Sequence, residues 1–141
     1  MATCQPSRSL PASFGAALCL WAGAAMAETI VVTDSRHPVT NTGGARVIEL
    51  DRAEQLTRAL SVGLPANPRL ATITAKKRLS SAEGRRITAE LRRAYQDIAD
   101  AKGLQVQKIP AVVVDRTLVV YGLADVAEAE ELIDAYQQGA H

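Results

Sequence analysis

The sequence predicts an α/β fold: a small mixed sheet covered by helices, with a β-hairpin and a helix at its C-terminal end. Three patterns carry that expectation. Two β-branched runs stand near the start, Thr29-Ile30-Val31-Val32-Thr33 and Arg46-Val47-Ile48-Glu49-Leu50, and both read as strands. Residues 68–102 then keep a helical period. Finally, two more β-branched runs, separated by Asp115-Arg116-Thr117, precede an amphipathic stretch that reaches Tyr136, the pattern of a hairpin followed by a helix. With 141 residues, 48% of them hydrophobic and 22% charged, the chain has room for one domain and lacks the composition of a long disordered polypeptide. Its net charge of +1 excludes a generically basic protein that binds nucleic acid by charge alone.

Residues 1–27 read as a secretory signal peptide. Arg8 is their only charge, an Ala-rich apolar stretch follows from about Leu10 to Ala25, and Ala25-Met26-Ala27 places small residues at the exit, where a signal peptidase reads them. Gly15, Gly23 and the shortness of the run argue against a membrane anchor. Leu18, immediately before Cys19, is a poor match to the small residue that lipid-attachment signals require. Cleavage is expected between Ala27 and Glu28, leaving a single periplasmic domain of residues 28–141 with no stable membrane span. Cys4 and Cys19 are the only cysteines, so that domain would hold no thiol, disulfide or thiolate ligand. Its stability would rest on its core.

Each later element has a local signal. Pro38, Asn41, Gly43 and Gly44 make residues 34–45 a loop. Asp51 opens a helix with Glu54 at capping-box spacing, and Leu56 and Leu60 share one of its faces. Gly63, Pro65, Asn67 and Pro68 interrupt the chain, and Pro68 suits a first helical turn. Ser80 and Glu83 repeat the capping-box spacing, so residues 68–102 divide into two helices that meet near Leu79. In the second, Ile87, Leu91, Ala94, Ile98 and Ala101 form one apolar stripe, and Gly103 is placed to stop it. Asp125 and Glu128 cap a last helix whose apolar face is Val126, Ala129, Leu132, Ile133 and Tyr136. Tyr95, Tyr121 and Tyr136 stand at core spacings.

Pro110 occupies the first position of the third strand, where a missing N–H costs the ladder nothing. A helix, Ile109-Pro110, a buried strand, a hairpin and a last helix in that order resemble the C-terminal half of the thioredoxin fold. There an Ile-Pro or Val-Pro peptide precedes the third core strand and its cis proline faces the active-site loop. A cis Ile109–Pro110 bond is therefore expected, since cis costs an X-Pro bond only about 0.5–1 kcal/mol. The N-terminal half departs from that pattern. Where thioredoxins carry Cys-x-x-Cys at a helix start, this chain has Asp34-Ser35-Arg36-His37-Pro38-Val39, which cannot perform dithiol exchange. The link from Asn41 to Ala45 also leaves little room for a first helix, so the expected fold is a variant thioredoxin-like one.

A closer resemblance covers nearly all of residues 28–141. A strand runs into Thr33-Asp34-Ser35 with His37-Pro38 behind it, followed by Leu50-Asp51, Gly63-Leu64-Pro65, Ile109-Pro110-Ala111-Val112-Val113 with Asp115, and Val119-Val120-Tyr121-Gly122 with Asp125-Val126. This ordered set resembles small exported proteins encoded by integrating conjugative elements. The resemblance implies a periplasmic accessory of a type IV secretion-like DNA transfer apparatus, with other protein components of that apparatus as partners. It implies no catalytic residues and no cofactor.

Asp34, Ser35 and His37 have the residue types of a hydrolase triad, but closeness in sequence does not make such groups converge. The plainer reading is a structured turn, with Asp34 and Ser35 bonded to backbone amides and Pro38 stiffening the exit. Beside Pro110, that turn would form a surface for extended peptide, and Asp34, Ser35, His37, Pro38 and Pro110 are the expected partner-binding residues. An enzyme or chaperone using His37 and Asp34 in place of cysteines is the alternative, and a small-ligand binder a third reading. His141 is the only other histidine, so no metal site is expected. Arg78, Arg85, Arg86, Arg92 and Arg93 could form a basic docking face for an acidic partner, a lipid headgroup or DNA. The alternative is a solvated face partly neutralised by the acidic last helix. Trp21 lies in the leader and no aromatic platform for single-stranded DNA is visible, so nucleic-acid binding is not expected.

Overall fold

Burial on both faces explains the aliphatic run Ile30-Val31-Val32 at the heart of the first strand. In the computed structural model, which describes residues 27–139, β1 (Thr29–Thr33) is buried from Ile30 onward. It lies inside a four-stranded sheet with β2 (Arg46–Glu49), β3 (Ala111–Val114) and β4 (Leu118–Tyr121), in the order β2-β1-β3-β4. β1 and β2 run parallel with Val32 opposite Ile48; β1 and β3 run antiparallel with Val32 opposite Ala111; β3 and β4 form the expected hairpin. The sheet is mixed, as the sequence predicts, and the Ile109–Pro110 bond is cis. The expected leader lies outside the described residues except for Ala27.

Period-two alternation divides the sheet between two layers. Ile30, Val32, Ile48 and Val113 face one side with Ala101, closed by half-buried Leu50, Leu104, Val106 and Ile109. Val31 and Val112 face the other, against Val126 and Ala129, with Val39 and Ala45 packed over them. The first layer holds α1 (Arg52–Ser61), α2 (Pro68–Ser80) and α3 (Ala82–Gly103); the second holds α4 (Val126–Gly139). The stripe on α3 is borne out: Ile87, Ala94 and Ala101 are buried, and α1 supplies Ala53 and Leu56 against it. No helix among the described residues is long and apolar enough to cross a membrane.

A parallel pair needs a crossover, usually helical. Here it is the irregular segment 34–45, sewn onto the start of α4. Thr40 pairs with Asp125, its N–H donating to the Ala124 carbonyl at 2.8 Å and its carbonyl accepting from Val126 at 3.1 Å. The Asn41 amide adds a bond to the Asp125 carboxylate at 2.7 Å. A long-range clip thus replaces the covering helix.

Three helix ends differ from expectation. Asp51 precedes α1 without a side-chain cap, because its carboxylate is turned to Ser35 and Gln55. Glu54 pairs with Arg58 instead. The cap between α2 and α3 is Ser81, not Ser80; its Oγ accepts from the Gly84 N–H at 3.0 Å. Gly103 closes α3 in ordinary geometry, and the left-handed residue that ends the run is Gln105, at φ 55°. Asn67-Pro68 and Asp125 behave as read: Asn67 Oδ1 accepts from Arg69 and Leu70, and Asp125 Oδ1 from Glu128. The tyrosines are a further correction, with Tyr95 at 58%, Tyr121 at 39% and Tyr136 at 68% exposure, joined by Leu132 at 52%. Tyr95 sits beside the α3 stripe, and Leu132 and Tyr136 lean over the edge strand β4.

Gly84 marks the tightest backbone approach. A Cβ there would lie 2.0 Å from the Arg78 carbonyl oxygen and 2.8 Å from the Leu79 Cα, so the α2–α3 corner closes only around glycine. Gly84→Ala should lower the free energy of unfolding by about 1–3 kcal/mol through overpacking, overriding the helix-propensity gain of about 1 kcal/mol. Gly103→Ala, whose Cβ would meet nothing within 4 Å, is the control and should be neutral or stabilising. Urea titration of both variants checks the pair; a Gly84→Ala midpoint at or above wild type would contradict the close crossing.

Candidate functional site

A carboxylate at the end of the central strand organises the first loop. Asp34 is only 5% exposed, and a buried carboxylate must be met by donors. Its Oδ1 accepts from the Arg36 N–H at 3.0 Å and contacts His37 Nδ1 at 2.6 Å; its Oδ2 accepts from Arg36 Nη2 at 3.0 Å. The His37 N–H donates to the Asp34 carbonyl at 3.1 Å, and the Thr33 hydroxyl donates to the His37 carbonyl. The result is an Asx-type turn. The His37 hydrogen bond first, then those from Arg36, outweigh burial and hold Asp34 at about 2 rather than 3.8. An ionised carboxylate only accepts, so His37 Nδ1 is the donor in this contact.

Ser35 departs from its expected role. It bonds to no neighbouring amide; its N–H donates to Asp51 Oδ1 at 3.2 Å and its hydroxyl to Asp51 Oδ2. These bonds lower the Asp51 pKa and tie the turn to the start of α1. Ser35 and His37 therefore belong to separate carboxylates, Asp51 and Asp34, and the Ser–His contact that a triad needs is not formed.

The sheet brings the turn and Pro110 to one place. Because Val32 lies opposite Ala111 in an antiparallel pair, the residues after Val32 and those before Ala111 share one end of the sheet on neighbouring strands. A cavity of about 380 Å³ opens at that end. Its wall is apolar, made of Val32 and Leu50 from the strand ends, Ile98 and Ala101 from α3, and Val106 and Ile109 from the segment leading to Pro110. Lys102 and Lys108 stand at its rim, both exposed. The site is thus an apolar trough beside a polar turn, with two cations at the mouth.

The model of a family described as "Protein of unknown function (DUF1525)" matches residues 26–139, which takes in every strand and helix of the structure. The chain belongs to the DUF1525 family. No curated protein and no solved structure matches it.

Elsewhere in this DUF1525 chain the expected basic face is largely committed to structure. Arg78 Nη1 donates to the carbonyls of Leu60 at 2.5 Å and Val62 at 2.8 Å, closing the end of α1. Arg85 donates to the Ser80 carbonyl at the end of α2. Arg86 pairs with Glu83 and, at 2.7 Å, with Glu90. Arg92 and Arg93 alone have no hydrogen bond or ion pair among the described residues. The acidic α4 does not neutralise this face, because it lies on the other side of the sheet. No cluster of three or more His, Cys, Asp or Glu side chains that could hold a metal ion is found among the described residues.

Of the expected partner-binding residues, Asp34, Ser35, His37 and Pro38 form the turn, and Pro110 stands at the neighbouring strand start. Leu50, Ile98, Val106 and Lys108 complete the trough and were not among the site residues expected from the sequence. For Val106 the one signal is that aliphatic residues persist past Gly103, where a solvated link would be polar. Asp51 has no local signal as the partner of Ser35.

Acid titration tests the Asp34 anchor. In the unfolded chain the carboxyl binds its proton near 3.8 and in the folded chain near 2, so the unfolded state holds more protons between those values and stability rises with pH there. The contribution is complete above the ordinary carboxylate value and is lost as pH falls toward 2. Asp34→Asn should be less stable than wild type at neutral pH, and the difference should shrink on acidification. A stability gap that does not change with pH would remove the charged anchor.

Proposed function

We propose that this protein is a non-enzymatic, thioredoxin-like partner-binding domain, exported to the periplasm, that serves the DNA transfer apparatus of an integrating conjugative element through protein–protein contact. The observation that carries the binding role is the meeting of the Asp34–Pro38 turn, Pro110 and the apolar trough at one end of the sheet. That meeting is the juxtaposition on which the thioredoxin comparison turns. In thioredoxin-like domains, the paired loop and proline form a surface that grips extended peptide. The fold reading draws further support from the mixed sheet with its C-terminal hairpin and helix. Cys4 and Cys19 both precede the domain, so thiol redox chemistry has no group to act through there. The assignment to conjugation and the periplasm rests on the ordered motifs and on the leader-like residues 1–27.

The turn suits recognition better than turnover. Asp34 is saturated with donors, Ser35 is held by Asp51, and the rigid turn presents the half-exposed His37 ring above its carboxylate. An extended segment with aliphatic side chains would fill the trough, while Lys102 and Lys108 favour acidic residues at its ends. One observation favours the alternative enzyme or chaperone: the Asp34–His37 contact at 2.6 Å is the kind of pair that orients an imidazole for proton transfer.

In-frame deletion of the gene, with complementation in trans, tests the proposal. The conjugation frequency of the element should fall by orders of magnitude and return with the wild-type gene. Complementation with His37→Ala should restore most of it, because a binding surface tolerates loss of one side chain. An unchanged frequency after deletion would refute the transfer role. Complete failure of a folded His37→Ala protein would favour the enzyme.

A further inference from the structure

The charges of this chain are separated between two helices that cannot reach each other. No acidic residue occurs between Glu54 and Glu83, a stretch that includes all of α2; no basic residue follows Arg116 until His141, a stretch that includes α4. α2 packs on α1 and α3, and α4 packs on β3 and β4, on opposite sides of the sheet.

Each of these helices also leaves an apolar face open. No residue of α2 is buried; Leu70 is 55% and Ile73 64% exposed. Arg69, Ile73 and Lys77 form one i, i+4, i+8 row beside Leu70 and Lys76. None of Arg69, Lys76 or Lys77 has a carboxylate partner among the described residues. On α4 the corresponding row is Glu128, Leu132 and Tyr136, with Glu131 alongside. Leu132 and Tyr136 do not lie over the core. They lean past it and, with Leu118, Val120 and Ile133, border a groove of about 310 Å³ against β4. One helix therefore projects an aliphatic ridge flanked by cations. The other borders an aliphatic groove flanked by anions.

We propose that the protein associates with a second copy of itself head to tail, the α2 ridge of one copy seating in the α4–β4 groove of the next. Charge complementarity selects this occupant: the surface that matches α2 in both sign and apolarity is present on the same chain, out of its own reach. Ile73 and Leu70 enter the groove and remove apolar area from water. Arg69, Lys76 and Lys77 approach Glu128 and Glu131 at the rim, where exposed pairs set register and partner choice more than affinity. Such a contact is heterologous, so every added copy leaves one ridge and one groove free, and the assembly grows as a ring or an open chain.

Sedimentation velocity of the protein, expressed with its own N-terminal segment, is the test. At low salt the weight-average mass should climb with concentration beyond that of one chain, and added salt should reverse part of the climb. Two charge reversals then decide the geometry: Arg69→Glu with Lys76→Glu and Lys77→Glu, and Glu128→Lys with Glu131→Lys. Each variant alone should associate at least about tenfold more weakly than wild type, because like charges then face each other. Mixed, the two should associate again, since each supplies the surface the other lacks. That recovery would also show that neither has lost its fold. A wild-type protein that stays monomeric at every concentration would overturn the proposal, as would reversed variants that associate like wild type or a mixture that fails to recover. Binding of α2 to anionic phospholipid vesicles without self-association would overturn it in favour of a membrane surface.

Discussion

The pairing of β1 on both of its edges is the constraint on which the fold depends. Among the described residues, β2 has no strand partner other than β1, and β4 reaches the sheet only through β3, which itself pairs with β1. The strand also separates the two hydrophobic layers, with Ile30 and Val32 in one and Val31 in the other. A residue of β1 therefore has to satisfy a neighbour above, a neighbour below and a backbone on either side. That requirement accounts for the aliphatic run Ile30-Val31-Val32, and for the placement of the first charged group, Asp34, just past the end of the strand. Asp34 can be buried there only because Arg36 and His37 lie within reach of its two oxygens.

The same constraint shapes the candidate site. Since β1 and β3 are neighbours and antiparallel, the exit of one and the entrance of the other must share an end of the sheet. The turn and Pro110 are held there by the ladder. α3 crosses that end with alanine at position 101 and leaves the trough open; a larger residue would fill it. The site is therefore a product of sheet geometry and of one small side chain. Its rigidity comes from the carboxylates of Asp34 and Asp51, which fix the turn to the strand before it and the helix after it.

Much of the architecture was legible because its signals are local. β-branched runs marked the four strands. Asn67-Pro68 and Asp125 marked helix starts, and the spacing of Ile87, Ala94 and Ala101 marked the buried side of α3. The misreadings have a common origin in long-range demand. Asp51 and Glu54 have capping-box spacing, yet the box does not form because Ser35, sixteen positions earlier, takes the carboxylate. The crossover 34–45 looked like a free loop; its pairing with Asp125 crosses most of the chain. Tyr95 and Tyr136 are exposed because they stand beside the buried stripes of α3 and α4, and Tyr121 because it lies on the edge strand β4, placements that periodicity alone does not encode. The basic stripe was visible, but not the use of Arg78 and Arg85 to close two helix ends.

The sheet order also has a consequence for how the native state is reached. Thr29 pairs with Val114, and the bonds between Glu28 and Asp115 join positions 87 residues apart. Between them lie β2 and three helices that make their own local contacts. The helical layer can therefore organise early, while the strand at the centre of the molecule waits for a partner from the far end of the chain. Until β3 arrives, Ile30, Val31 and Val32 offer an aliphatic strand with an unpaired edge. Rapid helix formation followed by a slow central closure is the expected folding order. The interval between the two is when this chain is most exposed to mispairing with another copy of itself.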